Sequence, residues 1–176
     1  MRIAGCDLGK ASVGFVTATV GEDGNVEVEG VGYKLHEGDP LGLFQQWYKD
    51  NDIANCSALA ATGIYADELR SPVLMLPEDS CQEAALEASP HLEDALNLVS
   101  IGARGYGALS RKPADGNGGG SKYNYQYLEN DKCSSGTGEN IQKIADRFGL
   151  GVEDADKAAL AADEGIPITA RCSVFA

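Results

Sequence analysis

The chain has 176 residues, of which 43% are apolar and 23% are charged, a composition typical of a folded globular protein rather than a disordered one. Its formal net charge of −13 argues against a nucleic-acid partner, because phosphate backbones are bound by surfaces rich in Lys and Arg. No apolar run approaches the roughly 20 residues that span a bilayer, and the N-terminus lacks the layout of a signal peptide. We therefore expect a cytoplasmic protein with no membrane partner.

The first third of the sequence predicts a three-stranded antiparallel meander. Residues 2–7, 13–20 and 26–33 are rich in Val, Phe and Thr and are separated by Gly-containing turns. The connection at residues 21–25, Gly-Glu-Asp-Gly-Asn, is typical of a hairpin. Asp39 and Pro40 then predict a helix N-cap followed by proline in the first turn. The next apolar run, residues 57–64, predicts a buried strand.

The rest of the chain predicts a second round of strands and helices. A helix is expected at residues 82–88, and strands at 96–101, 106–111 and 123–128. The glycine tract at residues 115–120 fits a hairpin or a flexible linker, and the alternating tyrosines that follow it favour the hairpin. Helices are expected at 138–148 and 152–162. The alternation of strands and helices predicts an α/β chain, divided into residues 1–95 and 96–176.

The five cysteines do not form a disulfide framework, because their number is odd and their spacing irregular. The sequence has no Cys-x-x-Cys pair for structural zinc and only two histidines. Cys6, Cys56 and Cys81 are expected to be buried or free thiols.

The turn between the first two predicted strands reads Gly5-Cys6-Asp7-Leu8-Gly9-Lys10. Backbone N–H groups of a Gly-rich turn can cradle phosphate, and an aspartate can hold a water bound to Mg²⁺. An ordinary turn explains the same residues.

Residues 129–138, Glu-Asn-Asp-Lys-Cys-Ser-Ser-Gly-Thr-Gly, place Cys133 beside a Ser/Gly-rich turn that opens a predicted helix. Free N–H groups and the macrodipole at a helix N-terminus favour a thiolate or an anionic cluster. A capping turn with an incidental cysteine is the alternative.

Residues 130–138 closely resemble the Asn-Asp-Lys-Cys-small-small-Gly-Thr-Gly signature of the 2-hydroxyacyl-CoA dehydratase activators, which belong with the ATPase subunits of benzoyl-CoA reductase. Residues 171–176, Arg-Cys-Ser-Val-Phe-Ala, resemble the second cysteine segment of that family, Arg-Cys-Thr-Val-Phe-Ala. The resemblance implies an actin-like ATPase fold with two ribonuclease H-like halves and ATP, with Mg²⁺, between them.

The same resemblance implies a homodimer that holds one [4Fe–4S] cluster at its interface. Each subunit would supply Cys133 and Cys172, so that a twofold axis completes a four-cysteine site. ATP binding and hydrolysis would then drive the transfer of a low-potential electron to a dehydratase or reductase partner. The residues expected to contact the nucleotide are Asp7, Gly9, Lys10, Ser12, Gly102 and Arg104.

The sequence departs from the family pattern at three places. Lys10-Ala11-Ser12 replaces the usual Ser-Thr, although Lys10 can still meet a phosphate. Residues 100–105, Ser-Ile-Gly-Ala-Arg-Gly, replace Asp-Ile-Gly-Gly-Gln-Asp, so both carboxylates of the second phosphate loop are missing. Arg104 there is either a phosphate ligand or a solvated loop residue. The sequence also stops where relatives continue, which predicts a chain truncated before the C-terminal nucleotide-binding segment.

These departures leave two further readings beside an iron–sulfur activator. One is a degenerate actin-like module with a structural or interaction role and neither redox nor ATPase activity. The other is a relative of sugar or acetate kinases, which share the fold but do not use the two cysteine motifs.

Overall fold

The computed structural model describes residues 1–70, 72–89, 92, 96–103, 105–114, 122–129 and 137–165. The chain divides into two compact units, Met1–Pro90 and His91–Ala176. Within the described ranges, none of the helices has the length and hydrophobicity that spanning a bilayer requires.

The first unit is built on a five-stranded sheet in the order β3-β2-β1-β4-β5. Strands β1 (Arg2–Leu8), β2 (Ser12–Val20) and β3 (Val26–Leu35) form the predicted antiparallel meander. β4 (Ala58–Thr62) and the two-residue β5 (Leu74–Met75) add in parallel on the other side of β1. Two short 3₁₀ turns, Ile53–Asn55 and Ala66–Glu68, flank β4.

One face of this sheet carries the hydrophobic core. Cys6 is paired with Phe15 on β2 and with Ala61 on β4, and paired residues lie on the same face of a sheet. All three are buried in one hydrophobic core cluster. Its other buried members are Ala4, Leu8, Val13, Phe44, Ile53, Leu59 and Ala66.

Helix α1 (Pro40–Asp50) contributes Phe44 to this core and begins at the predicted N-cap. The Asp39 carboxylate accepts a hydrogen bond from the Gly42 amide at 2.8 Å, and Pro40 occupies the first turn. Such a cap stabilises a helix by about 1 kcal/mol. The Trp47 ring stacks on Phe15 with ring centroids 4.6 Å apart, which adds roughly 0.5–1.5 kcal/mol to the apolar burial.

Helix α2 (Glu78–Ala88) begins four residues before the predicted start at Gln82. Its first turn contains Glu78 and Asp79, and carboxylates there are stabilised by the helix dipole. The helix-forming composition of residues 82–88 predicts only the later turns and does not include this acidic first turn.

The second unit contains an antiparallel sheet of three strands in the order β6-β7-β8. β6 (Asn97–Ile101), β7 (Tyr106–Pro113) and β8 (Tyr123–Glu129) agree closely with the predicted strands. The buried Arg111 guanidinium lies 4.4 Å from the centre of the Tyr123 ring and donates to the Leu92 carbonyl. The glycine tract predicted between β7 and β8 lies outside the described residues.

Helices α3 (Thr137–Arg147) and α4 (Val152–Leu160) follow β8 as predicted. Gly149, with a φ of 68°, ends α3 in the left-handed conformation that glycine adopts without strain. The helical spacing of Ile141, Ile144, Ala145 and Phe148 predicts one apolar face on α3. Of these residues Ala145 is buried, whereas the other three are exposed.

Candidate nucleotide site

The predicted phosphate-binding turn lies between β1 and β2, at the end of the first unit's two central strands. Asp7 belongs to the end of β1, Gly9 and Lys10 form the turn, and Ser12 begins β2. The structure therefore brings these four predicted residues into one short loop. Lys10 is exposed, while Gly9 and Ser12 are half-buried.

The turn is held from one side by the segment that follows β4. The Tyr65 amide donates to the Leu8 carbonyl at 3.1 Å. Gly63 makes this approach possible, because a Cβ at this position would lie 2.5 Å from both the Asp7 carboxylate and the Leu8 carbonyl carbon. Its φ of 91° is also one that side-chain-bearing residues rarely adopt.

The turn is held from the other side by His36, which directly follows β3. The His36 amide donates to the Ala11 carbonyl at 3.1 Å, and ring atom Nε2 lies 2.7 Å from the Lys10 carbonyl. Three carbonyl groups of the turn, those of Leu8, Lys10 and Ala11, are thus bonded to the protein. This arrangement fixes the backbone path of the turn.

The Asp7 carboxyl lies in an unfavourable place for a negative charge. Burial by the surrounding atoms raises its pKa, and the negative charge of Glu78 raises it further. The carboxyl is nevertheless reached by solvent, so water or a hydrated cation can approach it. A divalent cation would relieve both effects, which makes Asp7 a chemically suitable Mg²⁺ partner.

Asp7 also lines a cavity of about 490 Å³ on the sheet face opposite α1. The other walls are mainly apolar and include Val16, Val31, Ala60 and Leu76. Such walls offer few phosphate ligands, so the turn itself remains the candidate anion site.

In the second unit, Gly102 lies in the turn between β6 and β7. Its amide donates to the Gly105 carbonyl at 2.8 Å, which closes the turn. Its carbonyl accepts from the Gly138 amide in the first turn of α3 at 3.0 Å. The predicted second phosphate loop therefore contacts the start of the helix that follows the Cys133 segment.

Arg104, Cys133 and Cys172 lie outside the described residues, so their predicted roles stay predictions. Of the other cysteines, Cys6 is buried in the core, and Cys56 and Cys81 are half-buried free thiols, as expected. Burial raises the pKa of Cys6 to about 12, which makes it unreactive. Within the described part of the chain, no group of three or more His, Cys, Asp or Glu could hold a metal ion.

Sequence reasoning overlooked His36, Gly63 and Tyr65 as parts of the turn's environment. The Thr62-Gly63 step after a strand was a signal of a tight turn, but nothing in the sequence showed which segment it would meet. His36 lies three residues beyond the end of the strand predicted at residues 26–33, which is a weak signal for a contact with the turn.

No protein-family model matches the sequence, and no curated protein matches it. Among solved structures, the chain is similar to an activator of the 2-hydroxyisocaproyl-CoA dehydratase from Clostridium difficile with bound ADPNP. The TM-score is 0.73 and the identity 19%, over 99% of this chain and 62% of that one. It is also similar to an exopolyphosphatase from Cytophaga hutchinsonii, with a TM-score of 0.52 and 12% identity, over 91% of this chain and 63% of that one.

These similarities confirm the predicted fold class. The chain has the mixed α/β architecture of actin-like ATPases. It spans less than two thirds of the length of either solved relative.

Proposed function

We propose that the chain is the nucleotide-responsive part of an iron–sulfur activator. ATP would bind at the β1–β2 turn, and Cys133 and Cys172 would hold half of a [4Fe–4S] cluster. The cluster would pass a low-potential electron to a 2-hydroxyacyl-CoA dehydratase or a benzoyl-CoA reductase-type partner. The fold shared with a dehydratase activator that was solved with a bound nucleotide supports this proposal.

The observation that carries the proposal is the backbone contact between Gly102 and Gly138. The 3.0 Å hydrogen bond joins the predicted second phosphate loop to the first turn of α3. A Cβ at Gly138 would lie 2.8 Å from the Gly102 carbonyl oxygen, so the two segments touch without intervening side chains. A shift of the loop would therefore reach the start of α3, the helix that follows Cys133 in the sequence.

The nucleotide residues have distinct proposed roles. The N–H groups and the Lys10 ammonium of the turn would face phosphate oxygens, and Asp7 would hold a water of a bound Mg²⁺. Gly9 allows the two ends of the turn to lie close together, since a Cβ there would lie 3.1 Å from the Ser12 carbonyl oxygen. Gly102 and Arg104 stay predicted phosphate ligands of the second unit.

The proposed cluster requires two copies of the chain. Two thiolates per chain are half of a four-cysteine site, and a twofold axis supplies the other half. When bound, the cluster supplies one-electron redox chemistry. The protein's own contribution would be the thiolates and the N–H groups at the start of α3 other than that of Gly138, which donates to the Gly102 carbonyl.

Anaerobic reconstitution with iron and sulfide tests this proposal. We expect about two iron atoms per chain, a dimer in sedimentation, and a paramagnetic resonance signal after reduction. Cys133→Ser or Cys172→Ser should abolish all three, whereas Cys56→Ser, at a half-buried thiol packed against the core, should change none. A folded, reconstituted chain without a cluster would contradict the proposal.

A degenerate actin-like module is the second candidate, and one observation favours it. Residues 100–105 lack the two carboxylates that would position Mg²⁺ and the attacking water. An assay of MgATP turnover distinguishes the two. Measurable hydrolysis that stops on Asp7→Asn counts against the degenerate module, whereas unaltered background turnover counts for it.

A further inference from the structure

His36 is a buried side chain whose two ring nitrogens both have backbone partners. Only 7% of the residue is exposed. Nε2 lies 2.7 Å from the Lys10 carbonyl oxygen, and the Gly38 amide donates to Nδ1 at 3.0 Å. The ring also meets the Tyr65 ring edge-on, with centroids 5.7 Å apart.

These bonds define the tautomer of the ring. A nitrogen that accepts from an amide carries a lone pair, so Nδ1 is unprotonated and the proton is on Nε2. Nε2–H therefore donates to the Lys10 carbonyl. The neutral ring links its own loop, through Gly38, to the phosphate-binding turn, through Lys10.

The same residue controls two successive peptide groups of the turn. Its ring binds the Lys10 carbonyl and its amide binds the Ala11 carbonyl. In a planar trans peptide the C=O and the following N–H point in opposite directions. Turning both carbonyls toward His36 therefore turns the Ala11 and Ser12 N–H groups away from it, as a phosphate-binding turn requires.

We propose that His36 is a positioning residue of the nucleotide site, which orients the amides of Ala11 and Ser12 toward phosphate. This inference rests on the proposed function of the β1–β2 turn. His36 has no contact with the nucleotide in this role. It sets the orientation of the Ala11 and Ser12 amides, which contact the phosphate. Removal of the His36 ring therefore lowers the affinity for MgATP by more than the accompanying loss of folding stability predicts.

Two substitutions separate the ring's two hydrogen bonds. Both remove the ring and its contact with Tyr65. In His36→Gln the longer amide side chain can still donate to the Lys10 carbonyl, whereas in His36→Asn the shorter one can replace only the Nδ1 acceptor for Gly38. Both variants therefore lose the packing of the ring, but only His36→Gln can keep the hydrogen bond to the Lys10 carbonyl.

The experiment is calorimetric titration of the full chain with MgATP, with urea unfolding of each variant as the measure of stability. We expect His36→Asn to weaken MgATP binding by about tenfold or more and His36→Gln to stay within about threefold of the wild type. Equal affinity of His36→Asn and the wild type would overturn the proposal. Equal losses of MgATP affinity in both variants, in parallel with their losses of unfolding free energy, would also overturn it.

Failure of the proposed function would look different. In that case the wild type itself would bind no MgATP, before any variant is compared. The geometry has its own readout, since ¹⁵N chemical shifts of the His36 ring report which nitrogen carries the proton. A proton on Nδ1 would overturn the His36 proposal whether or not the wild type binds nucleotide.

Discussion

Asp7 combines a proposed role in nucleotide binding with an energetic cost to the fold. Its raised pKa, caused first by burial and then by the charge of Glu78, means that the folded state favours the protonated carboxyl. The protonated Asp7 carboxyl therefore makes its full contribution to stability at pH values below the ordinary aspartate pKa of about 4. That contribution is lost as pH rises through the higher pKa of the folded state. At neutral pH the Asp7 charge destabilises the first unit.

Asp7→Asn should therefore raise the free energy of unfolding at pH 7 while it abolishes binding of MgATP. The gain should shrink toward acid pH, where the wild-type carboxyl is itself protonated. Urea unfolding at pH 5 and pH 8, followed through Trp47, measures the first effect and calorimetry the second. Trp47 is the single tryptophan of the sequence, so its emission reports the packing of α1 on the sheet.

Asp23 is the matched control for Asp7. Hydrogen bonds from the Asn25 amide and side chain lower the pKa of Asp23, so its charge is stabilising at pH 7 and this contribution is lost on acidification. Asp23→Asn should lower stability at pH 7 and leave MgATP binding intact. If both variants changed stability in the same direction, the assigned environment of Asp7 would be wrong.

Individual site residues were predictable only where the motif itself is local. Asp7, Gly9, Lys10 and Ser12 are adjacent in sequence, so the turn that unites them followed from two flanking strand patterns. His36 reaches Lys10 across 26 positions, and this contact depends on the pairing of β2 with β3. The sequence predicted that pairing but not which backbone groups would remain to be bonded at its end.

At the level of elements, the junction of β1 and β4 depends on Gly63. Gly63→Ala would place a methyl group 2.5 Å from the Asp7 carboxylate and the Leu8 carbonyl carbon, at a φ of 91°. We expect a loss of about 2–5 kcal/mol, from left-handed strain together with steric displacement. The displaced turn should also bind MgATP more weakly.

Gly24→Ala isolates the conformational part of this effect. Gly24 has a similar φ of 82°, but no atom lies within 4 Å of a Cβ built there. Its substitution should cost only about 1–2 kcal/mol and leave nucleotide binding unchanged. Urea unfolding compares the two variants directly. Equal costs would show that the close approach of Gly63 to β1 does not constrain the junction.

The elements that the sequence predicted best have strong local patterns. The meander and α1 followed from strand composition, a Gly-rich turn and the Asp39-Pro40 cap. The two-residue β5 was missed, because a pair of residues has no periodicity and forms a strand only by pairing with β4. The start of α2 was missed because Glu78 and Asp79 are favoured there by the helix dipole and not by burial.

At the scale of the whole molecule, the hydrophobic core cluster lies entirely within Met1–Pro90. It unites buried residues of β1, β2, β4 and α1, and Trp47 packs against it by stacking on Phe15. In the described part of the second unit, by contrast, the buried hydrophobic residues are Leu109 and Ala145. The first unit therefore has a core of its own, which is the physical requirement for independent folding.

A fragment of residues 1–90 should accordingly fold without the rest of the chain. We expect cooperative urea unfolding with a slope of about 1 kcal/mol/M, near the low end for small domains, and Trp47 emission like that of the full chain. Val13→Asp, which introduces a charge at a fully buried core position, should abolish the transition. If the fragment has no cooperative transition although the full chain does, the core of the first unit depends on the second. The proposed nucleotide-binding turn could then not be assigned to one autonomous unit.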